Sequence, residues 1–183
     1  MVPKKGMFIR KKLNHGQQYA YLVKNTWLSG KGPRQKVGKY LGKVLKLERK
    51  SSELFQANED FSRLDFKDAV MQLVKHELVQ HGFSPDKDCL ASGGIAVDLS
   101  SFSVKNKGRP VVLELNNGFL SEETLRQLQR HDPGKDPEGY ELAKLLVGAG
   151  INISQEAFIA LFEKIKPVAK QEEDAKPAEE FYY

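Results

Sequence analysis

MFIRKK at residues 7–12, QYAYLVKNTW at 18–27 and QKVGKYLGKV at 35–44 are three runs rich in aromatic, β-branched and basic residues. Turn-forming pieces separate them: Asn14-His15-Gly16 after the first, and the glycine-proline loop LSGKGPR (28–34) after the second. Strand-like runs with such punctuation predict a three-stranded antiparallel β-meander. Successive side chains on a strand alternate between faces. Tyr19, Tyr21 and Val23 therefore share one face, and Ala20 and Leu22 the other. In the third run Val37 and Lys39 share a face and Tyr40 takes the opposite one. Gly38 and Gly42 mark bulges or places of close backbone approach. A meander this small needs a larger body to dock on.

The rest of the chain supplies one. Phe66, Ala69, Val70, Leu73, Val74 and Leu78 recur at helical spacing. Asp65 caps that helix, Asp68 suits the positive end of its dipole, and Gly82 ends it. Residues 94–98, 101–105 and 110–115 read as short strands, with Asn106-Lys107-Gly108-Arg109 as a hairpin turn. Ser121 opens a helix that runs to about Arg130. Two more helices are expected over 138–148 and 154–165. The fold class is α+β. Its expected organisation is a basic β-rich module over 1–48, a connector over 49–64, an acidic α+β domain with about four helices over 65–166, and a disordered acidic tail over 167–183.

Charge separates these parts. Residues 1–50 carry 14 basic groups against one acid, Glu48, a net +13, whereas the remainder is −8. Such an asymmetry suggests that one end meets a polyanion. The alternative is a lysine-rich end that only confers solubility. A single cysteine, Cys89, leaves no internal disulfide and suits a reducing cytoplasm. No signal peptide is expected, and no apolar run approaches the roughly 18 residues of a membrane span.

Phosphate neutralisation by Lys and Arg supplies most non-specific nucleic-acid affinity, and aromatic faces stack on exposed bases. Arg10, Lys11, Lys12, Lys24, Trp27, Lys31, Arg34, Lys36, Lys39 and Lys43 are the expected nucleic-acid-binding residues. Tyr19, Tyr21 and Tyr40 lie among them; the competing reading makes the tyrosines the buried face of a thin sheet. DNA and structured RNA are not distinguished. The tail ends in Phe181, Tyr182 and Tyr183, which read as a docking peptide for a protein partner or as the end of a solubilising segment.

Tyr19, Tyr21, Leu22 and Val23, followed by Arg34, Gln35, Val37, Tyr40, Leu41 and Gly42, resemble the N-terminus of certain insertion-sequence transposases. The same opening is similar to that of small uncharacterised archaeal proteins. The resemblance covers roughly residues 7–44, about a fifth of the chain, and implies a DNA-handling module. Transposase chemistry needs three carboxylates holding two divalent metals. Asp98 and Glu114 are the first acids to test, and no convincing third partner follows. His76 and His81 are five residues apart, not the four that puts ligands on one helix face. No metal, cofactor or catalytic residue is therefore assigned. The expectation is a non-enzymatic nucleic-acid-binding protein whose remainder docks partners. The alternatives are a transposase-related phosphoryl-transfer protein or its inactive remnant, a ribosome- or RNA-associated protein, and a protein-interaction adaptor.

Overall fold

Strand character and turn chemistry lay out the N-terminal part as expected. The structure, a computed structural model, describes residues 7–28, 32–132, 135 and 139–165. Strands β1 (Met7–Asn14), β2 (Gln17–Leu28) and β3 (Gly32–Lys46) form an antiparallel meander. The second half adds β4 (Ser84–Asp86), β5 (Cys89–Ser92), β6 (Ile95–Asp98), β7 (Ser103–Asn106), β8 (Arg109–Leu115) and β9 (Gly118–Leu120). Five helices complete it: α1 (Glu59–Arg63), α2 (Phe66–Gln80), α3 (Glu122–Arg130), α4 (Tyr140–Ala149) and α5 (Gln155–Glu163). The tail with Phe181, Tyr182 and Tyr183 lies outside the described residues, as does Lys31. No helix among the described residues is long and apolar enough to cross a membrane.

All nine strands join one sheet, in the order β1-β2-β3-β8-β7-β6-β5-β4, with β9 also paired to β8. Four of the hairpins are closed by two-residue turns, at His15-Gly16, Gly93-Gly94, Lys107-Gly108 and Asn116-Asn117. Both central residues have positive φ in each. That is the requirement of the turn whose twist matches paired strands. The joint between the two halves is parallel: Lys43, Val44, Leu45 and Lys46 pair with Val111, Val112, Leu113 and Glu114. The boundary expected at residue 48 is thus crossed by continuous sheet. The connector is also part of the core, since Phe55 and Phe61 are buried in it. Burying such side chains stabilises by about 1.5–3 kcal/mol each.

Two register shifts in β3 alter one expectation. Tyr21 pairs with Tyr40 while Val23 pairs with Val37, and Ala20 pairs with Gly42. Each shift inserts one extra residue into β3, a bulge. Val37 and Tyr40 consequently share the face of Val23 and Tyr21 rather than lying on opposite faces. The strand expected over 101–105 also moves, to Ser103–Asn106. Asp98 is the cause: its Oδ1 accepts the amides of Ser100 and Ser101 at 2.8 and 3.1 Å, and its Oδ2 accepts the Ser101 hydroxyl at 2.6 Å. These bonds hold residues 99–102 in a turn.

The helices pack on one face of the sheet. The stripe of α2 is buried as its spacing predicts, and Asp65 caps it by accepting the Asp68 amide at 2.8 Å. Ser121 caps α3 through a capping box with Thr124. One α2 residue departs from the apolar pattern. Glu77 is fully buried. Its Oε1 accepts from Asn116 Nδ2 at 2.7 Å, and its Oε2 accepts the Asn152 amide at 3.0 Å. Arg49 Nε lies 3.6 Å away and His81 Nδ1 3.3 Å away. Burial opposes ionisation of this carboxyl, but bonds from His81, Asn116 and Asn152, together with the Arg49 charge, outweigh it. They hold the pKa below its ordinary 4.5. Glu77 thereby ties the connector, α2, the β8–β9 turn and the loop before α5 to one another.

Removing one partner of a buried ion pair strands the other, at a cost of about 3–5 kcal/mol. Glu77→Ala is expected to lower unfolding stability by that amount in urea. The pH dependence has a definite sign. A depressed folded pKa contributes stability that is present above 4.5 and lost as pH falls through the folded value. Wild-type stability should decline on that acid limb, and Glu77→Gln should flatten it. An unchanged limb in Glu77→Gln would show that this carboxyl is not the group responsible.

Candidate nucleic-acid interface

Alternation along β1 and β2 gives the meander two chemically different faces. Ala20, Leu41, Val44 and Val112 form a buried cluster, with Ile9, Leu22 and Phe119 packed against it. Lys11 shares this face. Its Nζ donates to both oxygens of Glu114 at 2.8 Å and lies 5.6 Å above the Phe119 ring. On a flat sheet β1 and β8 would stand roughly 14 Å apart, at about 4.8 Å per strand. A lysine on one reaching a glutamate on the other means that the sheet curls around this cluster.

The convex face carries the tyrosines. Register places Arg10 opposite Tyr21, Lys12 opposite Tyr19, and Lys43 opposite Tyr19 from the other side. The Tyr21 and Tyr40 ring centroids are 5.4 Å apart, and those of Tyr19 and Tyr40 are 6.2 Å apart. Lys12 Nζ sits 5.3 Å over the Tyr21 ring. Tyr19 and Tyr21 are half-buried, whereas Tyr40 is 54% exposed. Tyr40 is therefore presented outward, although Val23 on the same face is buried; the cluster of Ala20, Leu41 and Val44 lies on the opposite face. Partial burial, and then proximity to Tyr19 and Tyr21, raises the Tyr40 phenol above its ordinary 10.0. The ring is neutral at physiological pH.

The expected binding residues do not form one surface. Arg10, Lys12 and Lys43 flank the tyrosines, and Arg10 donates to the Gln35 side chain. Lys11 and Lys39 are held by carboxylates, Lys39 by Glu123 at 3.9 Å. Lys24 pairs with Lys36 and Thr26 with Arg34, further out along β2 and β3. Trp27 is placed by its backbone alone, opposite Pro33, and Lys31 is not described. The structure adds two residues that linear reading treated only as turn: Lys107 and Arg109. The β7–β8 hairpin brings them beside Tyr19, Tyr40 and Lys43.

The acids proposed for metal chemistry are otherwise engaged. Asp98 fastens its own turn, which together with the Lys105 charge lowers its pKa. Glu114 holds Lys11. Among the described residues no three His, Cys, Asp or Glu side chains gather as a metal site. Comparison with protein-family models, with curated proteins and with solved structures finds no match to this chain. The chemistry of the face itself must carry the functional reading.

Lys24 and Lys36 are direct cross-strand partners of like charge. Such opposition destabilises a sheet, and favourable pairs contribute roughly 0.2–1 kcal/mol. Lys36→Glu is expected to raise the urea midpoint by a corresponding amount. A lowered midpoint would mean that the two ammonium groups do not oppose each other in solution.

Proposed function

We propose that this is a non-enzymatic, cytoplasmic nucleic-acid-binding protein whose β-meander holds phosphates and bases on its tyrosine face. One observation carries the reading. Arg10, Lys12 and Lys43 surround three outward-facing tyrosines, and none of the three cations has a carboxylate partner among the described residues. A charged face that serves only solubility mixes its signs. This face concentrates one sign and adds exposed rings. Phosphate contacts release counterions and give affinity, while base stacking adds contacts that are tolerant of sequence. The helical layer, on the other half of the molecule, is the platform from which the meander projects. The free thiol of Cys89 fits a reducing compartment.

The test is equilibrium binding of the full chain to duplex DNA, single-stranded DNA and structured RNA over a salt series. Micromolar or tighter binding at low salt is expected, with log affinity falling by roughly 0.7–0.9 per phosphate contact for each decade of salt. Lys12→Ala/Lys43→Ala should weaken binding and reduce that slope by about two contacts. No binding to any of the three at low salt would overturn the proposal.

A further inference from the structure

β3 and β8 run side by side for only four residue pairs; on the N-terminal side of these pairs β3 runs with β2 and β8 with β7. The fork leaves a cleft of about 730 Å³. Tyr19, Tyr40 and Lys43 line it from the meander, and Lys107, Arg109 and Pro110 from the hairpin. Val111, which is nearly fully buried, contributes an apolar surface between them. The lining holds three cations and no carboxylate.

We infer that this cleft takes an unpaired base of a single-stranded nucleic acid, stacked on Tyr40 with its flanking phosphates on Lys43, Lys107 and Arg109. The inference rests on the nucleic-acid reading above and narrows its ligand. Its volume lies within the roughly 300–1,000 Å³ typical of small-ligand sites. That suits a nucleotide or two and is far too small for a double helix. Stacking requires a free base face, which a duplex hides within its own stack. A half-exposed tyrosine between cations is the arrangement of a stacking platform in a positively charged groove. Phosphates bridging the two walls would also offset the mutual repulsion of cations brought together by the fork.

The experiment compares fluorescently labelled oligo-dT and oligo-U with a duplex of equal length, at one fixed salt concentration. Full-length wild type, Tyr40→Ala, Tyr40→Phe, Lys107→Ala/Arg109→Ala and Lys24→Ala/Lys36→Ala are compared. Single strands should bind about tenfold tighter than duplex. Tyr40→Ala should lose about tenfold on single strands alone, and Tyr40→Phe should keep the affinity. Lys107→Ala/Arg109→Ala should weaken single-strand binding more than Lys24→Ala/Lys36→Ala does. The two single strands distinguish DNA from RNA as the source of the base. Wild-type binding that favours duplex, or that is indifferent to Tyr40→Ala, would overturn the cleft while leaving the nucleic-acid reading intact. Failure of wild type to bind any of the three would overturn both.

Discussion

Four residue pairs between β3 and β8 hold the two halves of the sheet together, and the approach of the strands depends on Gly42. Its φ is +136°, and a Cβ there would stand 2.6 Å from the Pro110 carbonyl oxygen. A side chain would therefore meet β8 backbone, and backbone has little room to yield. Because the pairing is parallel, it needs a long crossover rather than a hairpin. The intervening residues 47–108 supply α1, α2 and four strands. The joint is also short. On its N-terminal side the strands separate, and the cleft exists because they do.

The two faces of the meander divide structural from proposed functional work through simple alternation. Ala20 and Leu22 point inward and are covered by Val112 and Phe119 of the second half. Lys11 joins them because Glu114 satisfies its charge. The neighbouring residues Tyr19, Tyr21 and Lys12 point the other way, where the tyrosines are half-buried and Lys12 is exposed. A bulge is needed to complete the tyrosine group. Without the extra residue in β3, Tyr40 would fall on the other face from Val37 and out of register with Tyr21. The local irregularity thus builds the aromatic cluster.

Much of the fold was legible because its signals are local. The three N-terminal strands, the apolar stripe of α2, the Asp65 and Ser121 caps and the tight turns all depend on neighbours within a few residues. β4, β5 and β9 were missed because three or four residues carry no periodicity, and Pro85 argues against a strand except at a sheet edge. Glu77 was missed because its burial depends on Arg49, Asn116 and Asn152, which are remote in sequence. The candidate site was half legible. The basic residues and tyrosines stood out, but assigning them to faces needed the bulges and the curl. Alternation turns Lys11 away from Arg10 and Lys12, and Glu114 and Glu123 engage Lys11 and Lys39. Lys107 and Arg109 carried no linear signal beyond a turn, because only the parallel joint brings that turn beside the meander.

The most direct measurement is backbone amide chemical-shift mapping of the isotopically labelled protein titrated with a short single-stranded oligonucleotide. Perturbations are expected on residues 10–12, 19–21, 40–43 and 107–109, with α4 and α5 unaffected. Perturbations confined to the helical layer, or spread evenly over every exposed lysine, would contradict a role for the tyrosine face in binding.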